Sequence, residues 1–253
     1  MKGGPSEFRF KQFVVRNEVS AMKVNTDGVI LGASLTLARH CTSALDIGTG
    51  TGTIALMAAQ RLGQAAEKHG DKYAQASVTG IDIDAASAAE ARENFRNSRW
   101  SSSLQAVHAS LKEFSASLPP ERKFGNIFSN PPYYTGALKA PDERRNTARH
   151  SEALSWAEIV DFASYHLEDS GILSMILPAD QRTELSRYAA ANGLYLFRAL
   201  SIRTVPGKTP RRAVTEFSPV KPAHVMEETL TIQEGGAYTP EYRSLLSEFL
   251  INF

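Results

Sequence analysis

Apolar runs typical of buried strands alternate with segments of helical periodicity along most of the chain. Predicted strands cover residues 43–46, 77–82, 104–109, 124–129, 171–177, 194–204, 213–220 and 229–232. Predicted helices cover residues 27–37, 51–62, 85–96, 156–167 and 181–191, and a last helix begins at Pro240 after its cap, Thr239. Strands that alternate with helices predict a mainly parallel, doubly wound α/β sheet, and the consecutive late strands predict an antiparallel edge.

A short N-terminal region precedes this alternation. Residues 8–15 alternate apolar and polar positions and then become apolar, which predicts a short strand or hairpin arm. The helix over residues 27–37 would begin at a cap formed by Thr26 or Asp27. We therefore expect residues 1–40 to form a strand and helix extension that packs on a main domain of residues 41–253. The phenylalanines of this extension are expected to lie in the core.

Composition and charge limit the classes of function. The chain has 253 residues, of which 42% are hydrophobic and 22% charged, as in an ordinary globular protein. The net charge of +1 gives no general basic field, so positive charge for a nucleic acid must be local. A single cysteine, Cys41, excludes an intramolecular disulfide, and the histidines lack metal-ligand spacing. We expect a cytoplasmic protein with no metal and no membrane segment.

A glycine-rich turn, the glycine loop of residues 48–52, joins the first predicted strand of the main domain to a helix. Asp46 precedes it, and Gly48, Gly50 and Gly52 recur at every second position. Glycines let the backbone turn tightly and let a ligand approach closely, but this spacing is not the G-x-G-x-x-G of a pyrophosphate site. A carboxylate beside the loop would repel phosphate and attract a cationic amino-acid group. The loop therefore favours S-adenosylmethionine over NAD.

Two carboxylates follow the next predicted strand. Asp82 closes the strand, where it can accept hydrogen bonds from both ribose hydroxyls of a nucleoside. Asp84 is placed to cap the following helix. Asp46, the glycine loop and Asp82 together indicate a methyltransferase that uses S-adenosylmethionine.

The apolar strand of residues 124–129 ends in Asn130-Pro131-Pro132-Tyr133. A planar exocyclic amine, such as N6 of adenine, is a poor nucleophile because its lone pair is delocalised into the ring. The side-chain carbonyl of Asn130 and the backbone carbonyl of Pro131 could accept its two N–H groups and draw the lone pair out of the ring plane. The prolines would hold these acceptors in place, and Tyr133 could stack on the base. We expect these residues to be catalytic.

These motifs resemble those of class I adenosylmethionine-dependent methyltransferases with an Asn-Pro-Pro-Tyr motif, which methylate adenine, cytosine or glutamine amines. More narrowly, the chain is similar to the bacterial tRNA(Val) adenine-N6 methyltransferase family. The narrower resemblance rests on residues 10–13, 22–28, 30–33, 148–150 and 210–213. It implies a Rossmann-like fold with a seven-stranded mixed sheet and an anticodon stem-loop of tRNA as the partner. We expect a monomer.

The resemblance also implies roles for particular residues. Lys23, Thr26 and Asp27 would cover the cofactor from the N-terminal side, and Asn130 would border both the cofactor and the target amine. After the third strand such enzymes often carry an acid that accepts from the adenine of the cofactor. This chain has Ser110 there, which can accept a hydrogen bond more weakly than a carboxylate.

Two basic loops are candidates for contact with RNA. Both could border the mouth of the active site. The residues in question are Tyr134, Arg144, Arg145, Arg149 and His150 in the first loop, and Arg203, Lys208, Arg211 and Arg212 around the second.

Other functions remain open at this point. A protein glutamine methyltransferase would present the same planar amide, although those enzymes commonly carry a helical N-terminal domain and only some 40 residues precede Leu45. A methyltransferase for amines of rRNA or DNA is a further alternative. An NAD-dependent oxidoreductase is disfavoured by the loop spacing and by the lack of a Tyr-x-x-x-Lys motif. A non-catalytic RNA-binding module would not need Asn130-Pro131-Pro132.

Overall fold

A computed structural model describes residues 6–39, 41–69, 76–132 and 154–252 of the protein. The strands are β1 Glu7–Arg9, β2 Val14–Arg16, β3 Ser43–Ile47, β4 Ser77–Asp82, β5 Leu104–His108, β6 Phe124–Ser129, β7 Leu167–Pro178, β8 Tyr195–Arg203, β9 Arg212–Ser218, β10 Met226–Thr231, β11 Gln233–Glu234 and β12 Ala237–Tyr238. The helices in the described ranges are α1 Thr26–Ser34, α2 Thr53–His69, α3 Ala85–Arg96, α4 Leu111–Ser117, α5 Trp156–His166, α6 Arg182–Ala191 and α7 Pro240–Leu246.

The central sheet has the strand order β10-β8-β9-β7-β6-β3-β4-β5. Only β9 runs antiparallel to its neighbours, so the predicted mainly parallel α/β fold is confirmed. The sheet has eight strands, one more than the seven expected, because β10 adds to the outer edge of β8. The sequence had suggested an antiparallel edge, but the antiparallel strand β9 lies between β8 and β7. Antiparallel β9 ends where β8 begins, so a short connection suffices to start β10 parallel to β8.

Two apolar clusters cover the two faces of the sheet. One contains residues of α1, α2, α3 and α7, and the other contains residues of α4, α5 and α6. Side chains of β3 divide between them, since Ala44 belongs to the first cluster and Leu45 and Ile47 to the second. Every residue of β3 and β6 is buried, as expected of central strands that are covered on both faces.

The N-terminal extension begins with the hairpin of β1 and β2, which confirms the predicted hairpin arm. Phe10 and Phe13 stack with ring centroids 4.4 Å apart and are buried, while Phe8 packs half-buried against the same cluster. These phenylalanines therefore lie in the core, as expected. They join the cluster that also contains α1 and α2, and the division at residue 40 stays a prediction.

One expected helix cap was wrong. Asn25, rather than Thr26 or Asp27, caps α1, because its side-chain oxygen accepts from Gly28 N at 2.9 Å while its own backbone is extended. Helix α4 was not among the predicted helices. It has two turns and begins at a capping box formed by Ser110 and Glu113. No helix in the described part of the chain is long and apolar enough to cross a membrane.

Candidate active site

The parallel register of three strands assembles the candidate site. Ile47 of β3 lies opposite both Ile81 of β4 and Ser129 of β6, and the Ser129 hydroxyl donates to the Ile47 carbonyl at 2.6 Å. The glycine loop, Asp82 and Asn130 each follow one of these positions. They therefore lie together at the edge where the parallel strands end, the carboxyl edge of the sheet. Ligands of open α/β sheets bind outside this edge.

The glycine loop uses backbone conformations that other residues rarely adopt. Gly48, Gly50 and Gly52 have φ values of 73°, 56° and 79°. A Cβ atom at Gly52 would overlap Cε1 of Phe95 on α3 and lie 2.9 Å from its Cζ. The loop is thus seated tightly on α3, and it leads directly into α2.

Asp46 lies beneath the loop with no exposed surface. Its Oδ2 accepts from the Thr49 hydroxyl at 2.7 Å, while Oδ1 is buried without a hydrogen bond of normal geometry to any residue that the structure describes. Burial raises the pKa of Asp46 to about 7, against the weaker opposing effects of the Thr49 hydroxyl and the Ala55 N–H. A cation above the loop would favour the ionised form, so the site fits the sulfonium and ammonium groups of S-adenosylmethionine.

Asp82 ties the loop to β4. Its Oδ2 accepts from Gly50 N at 2.8 Å and its Oδ1 from Asp84 N at 2.9 Å. Burial raises the pKa of Asp82, and these two N–H groups oppose the shift. Each carboxylate oxygen keeps a second lone pair, so the predicted contact with ribose hydroxyls is compatible with this geometry. The prediction for Asp84 is confirmed, because its side chain caps α3 through Ser87 N at 2.8 Å.

Asn130 and Pro131 are buried and Pro132 is half-buried at the end of β6. The Asn130 amide nitrogen lies 3.6 Å from the sulfur of Met22. The N-terminal extension therefore contacts Asn130, one of the two predicted acceptors for the amine. The other residues predicted around this turn, Tyr133, Tyr134, Arg144, Arg145, Arg149 and His150, lie outside the described residues.

The strap, residues 17–25, crosses the glycine loop from the N-terminal side. The carbonyl of Met22 would lie 3.5 Å from a Cβ at Gly50. Lys23 Nζ donates to the Glu18 carbonyl at 2.5 Å, within the strap itself. Thr26 is exposed in the first turn of α1. The strap thus lies over the loop, and the cofactor contacts expected of Lys23, Thr26 and Asp27 stay predictions.

Ser110 lies close to Asp82, since Ala109 N donates to the Asp82 carbonyl at 3.0 Å. Its hydroxyl donates to Glu113 Oε2 at 2.8 Å and accepts from Glu113 N at 3.2 Å. Ser110 therefore serves α4 as a cap, and any role toward an adenine stays a prediction. The Glu113 carboxylate beside it is a candidate acceptor that the capping-box spacing could have revealed.

The second basic loop, residues 204–211, lies at the same carboxyl edge. Arg211 O accepts from Ala179 N just after β7, and Arg203 Nε donates to Thr231 Oγ1 at 2.8 Å. Arg212 Nε donates to Asp27 Oδ2 at 2.8 Å, which joins the loop to α1. Lys208 and Arg211 are exposed. These four cations thus lie at the carboxyl edge of the sheet, and their contact with RNA stays a prediction.

Two residues of α3 contact the site and were not predicted from the sequence. Glu90 and Asn94 are buried, and they bind the strap and the glycine loop. The sequence feature that could have revealed them is a pair of polar residues on the helix face that also carries Ala91 and Phe95.

Among the described residues, no group of three or more histidine, cysteine or acidic side chains could hold a metal ion.

Comparison with known structures agrees with this geometry. A predicted O-methyltransferase of Agrobacterium tumefaciens superposes with a TM-score of 0.63 at 21% identity, over 88% of this chain and 96% of that one. The 16S rRNA N2 G1207 methyltransferase of T. thermophilus, solved with AdoMet and guanosine, gives 0.52 at 19% identity, over 81% and 46%. The fold is that of class I methyltransferases, the class that uses S-adenosylmethionine as its cofactor.

Comparison of sequences narrows this class. Residues 42–184 match the family model described as RMKL-like, methyltransferase domain. A tRNA1(Val) (adenine(37)-N6)-methyltransferase of Bacteroides fragilis is 38% identical over 96% of this chain and 97% of its own length. One of Trichodesmium erythraeum is 35% identical over 99% and 100%. The chain belongs to the family of tRNA1(Val) (adenine(37)-N6)-methyltransferases.

Proposed function

We propose that this protein transfers the methyl group of S-adenosylmethionine to the N6 amine of an adenine in tRNA, next to the anticodon of tRNA(Val). The observation that carries the proposal is the position of Asn130-Pro131-Pro132 at the end of β6, beside the glycine loop of the neighbouring strand. The names of the full-length relatives support the same substrate.

The amine is activated by its acceptors. Bound S-adenosylmethionine supplies an electrophilic methyl group on a sulfonium. The Asn130 side-chain carbonyl and the Pro131 backbone carbonyl accept the two N–H groups of the adenine amine, which turns its lone pair out of the ring plane. Pro131 and Pro132 fix the turn, so these acceptors need little rearrangement when charge develops.

No dedicated base removes the proton of the amine in this proposal. The amine attacks the methyl carbon, and the bond from that carbon to sulfur breaks as the new C–N bond forms, which leaves a neutral thioether. Only then does the amine proton become acidic, and it passes through the acceptors to solvent. Asp82 holds the ribose hydroxyls and Asp46 stabilises the cation through the glycine loop in this proposal. Holding the amine in line with the methyl group supplies much of the remaining rate.

The partner is an anticodon stem-loop. A base in such a loop leaves its stack at less cost than a paired base, so its N6 can reach a site at the carboxyl edge. The exposed cations Lys208 and Arg211 lie at this edge and match an RNA backbone in charge. A monomeric, cytoplasmic protein is part of the proposal, and gel filtration and cell fractionation test those two points.

The substrate is tested with radiolabelled S-adenosylmethionine and three acceptors: total tRNA, total rRNA and a protein extract. Nucleoside analysis should place the label in N6-methyladenosine of tRNA. An in vitro transcript of tRNA(Val) should accept label, and a matched transcript with guanine in place of adenine 37 should not. Label in a glutamine of the protein extract, or in rRNA alone, would overturn the proposal in favour of the corresponding alternative.

A further inference from the structure

Glu90 of α3 binds three successive backbone N–H groups of the strap. Its Oε1 accepts from Glu18 N at 2.6 Å and from Val19 N at 3.0 Å, and its Oε2 accepts from Ser20 N at 2.9 Å. The side chain is 4% exposed. A buried carboxylate is costly unless hydrogen bonds satisfy it, and here the strap supplies those donors. The shape of the strap at residues 18–20 is thus set by one side chain about 70 residues away.

Asn94, one turn further along α3, joins Arg16, the residue just before the strap, to the glycine loop. Its Oδ1 accepts from Arg16 N at 2.7 Å, and its Nδ2 donates to Arg16 O at 3.1 Å and to Thr51 O at 2.8 Å. Glu90 and Asn94 are four residues apart and therefore share a helix face. One face of α3 consequently holds both the start of the strap and the glycine loop in fixed positions relative to each other.

The far part of the strap carries this constraint to the reacting centre. Asn17 Oδ1 accepts from Val24 N at 2.9 Å, which closes residues 17–24 into a compact turn. Within it, Ser20 Oγ donates to the Met22 carbonyl at 3.1 Å. Met22 in turn lies against both Gly50 and the Asn130 amide. The position of Met22 over the site therefore depends on the anchoring of residues 18–20.

We propose that Glu90 is a positioning residue of this methyltransferase, which holds the strap closed over the glycine loop and keeps Met22 between the loop and Asn130. Loss of this anchor frees the strap and weakens the binding of S-adenosylmethionine. The inference rests on the proposed function only through its cofactor and does not depend on which nucleic acid is methylated.

The chain offers a matched control in Glu216. It is also a fully buried carboxylate, and it accepts from Thr36 N at 2.8 Å, the Ser174 hydroxyl at 2.8 Å and Arg198 Nη1 at 2.9 Å. These partners lie away from the strap. Glu216→Gln should therefore lower stability without altering the strap.

The test compares Glu90→Ala, Glu90→Gln and Glu216→Gln with the wild type. Titration calorimetry with S-adenosylmethionine should show affinity about tenfold lower for Glu90→Ala, the equivalent of one net charge-assisted hydrogen bond. Glu90→Gln keeps the side-chain volume, and its affinity should lie between those of Glu90→Ala and the wild type. Glu216→Gln should bind within about twofold of the wild type. Amide exchange without cofactor should show protection of residues 18–20 lost in the Glu90 variants alone.

Two outcomes would overturn the inference. In the first, the Glu90 variants keep the cofactor affinity and the amide protection of the wild type. In the second, Glu216→Gln loses as much affinity as a Glu90 variant that is equally destabilised. If Glu90→Ala does not fold, the isosteric Glu90→Gln carries the same comparison. Failure of the wild type to bind S-adenosylmethionine would instead contradict the proposed function. A wild type that binds the cofactor but leaves tRNA unmethylated would remove the proposed substrate and leave the role of Glu90 intact.

Discussion

Arg212 and Asp27 form an ion pair, with Nε and Oδ2 2.8 Å apart. The pair joins the start of β9 to the first turn of α1, although 185 residues separate the two in sequence. About a quarter to a third of each side chain is exposed, so the pair contributes at most about 1 kcal/mol to stability. Its larger consequence is to hold an arginine beside the basic loop.

This pairing separates two roles of Arg212. Arg212→Ala removes both the ion pair and a cation, whereas Asp27→Asn removes the ion pair and keeps the arginine. If Arg212 contacts an RNA phosphate, Arg212→Ala should weaken tRNA binding and reduce the slope of log affinity against log salt by about 1. Asp27→Asn should keep the wild-type slope. Equal slopes in all three proteins, measured by filter binding, would remove Arg212 from the RNA contact.

Asn130→Ala should lower the rate of methyl transfer by about 10²–10³-fold, the usual effect of losing one acceptor or donor of a preorganised site. Cofactor affinity should stay within a few-fold of the wild type, because the glycine loop and Asp82 are unchanged. Single-turnover rates and calorimetry measure the two quantities. A variant that lost affinity in proportion to its rate would assign Asn130 to the cofactor rather than to the amine.

Asp46 should make the stability of the cofactor-free protein fall as pH rises. Its pKa of about 7 in the folded state lies above the unfolded value near 4, so the folded state binds more protons between these values. Stability from this group is therefore complete below about pH 4 and is lost progressively up to about pH 7, by at most about 1.4 kcal/mol per pH unit. Asp46→Asn should remove this component in urea unfolding at pH 5 and pH 8.

The same variant tests the cation site. S-adenosylmethionine favours the ionised carboxylate, so wild-type affinity should rise between pH 5 and pH 8 while that of Asp46→Asn stays flatter. A wild type whose stability rises over this range relative to Asp46→Asn would contradict the raised pKa.

Gly52→Ala should destabilise the protein by more than backbone strain alone. Both Gly52 and Gly193 have a left-handed backbone, with φ values of 79° and 77°. A Cβ at Gly52 meets the Phe95 ring, whereas a Cβ at Gly193 meets nothing within 4 Å. We expect a loss of about 1–2 kcal/mol for Gly193→Ala and a further 1–3 kcal/mol for Gly52→Ala. Equal losses in the free energy of unfolding of the two variants, measured with urea, would show that the glycine loop moves away from Phe95 without cost.

Much of the fold could be predicted because local signals agree with the tertiary structure. The bounds of β4, α3 and β6 match the predicted ranges, since each has a clear period and turn residues or a cap at its ends. The parallel edge strand β10 could not be predicted in the same way. Its partner depends on where antiparallel β9 ends in space, and no local pattern contains that information.

The site was predicted in the same uneven manner. The glycine loop, Asp82 and Asn130 follow strands of one parallel sheet, so their common edge could be inferred from the order of elements alone. Glu90 and Asn94 could not be assigned, because their partners are backbone N–H and carbonyl groups, which any residue type supplies. The cap of α1 was predicted wrongly for a different reason. Asn25, Thr26 and Asp27 are all residue types that cap helices, and only the backbone geometry selects Asn25.

The reversal of β9 has a consequence for the evolution of specificity. Because β8 and β9 run in opposite directions, residues 204–211 form a hairpin connection whose base is fixed by Arg211 N to Ile202 O and by Ala179 N to Arg211 O. Its tip can change in length and charge while both strands keep their register. The edge of the sheet that also holds Asn130 therefore carries a loop that can vary by itself. A new methyl acceptor could be accommodated by changes in that loop while the reaction stays the same.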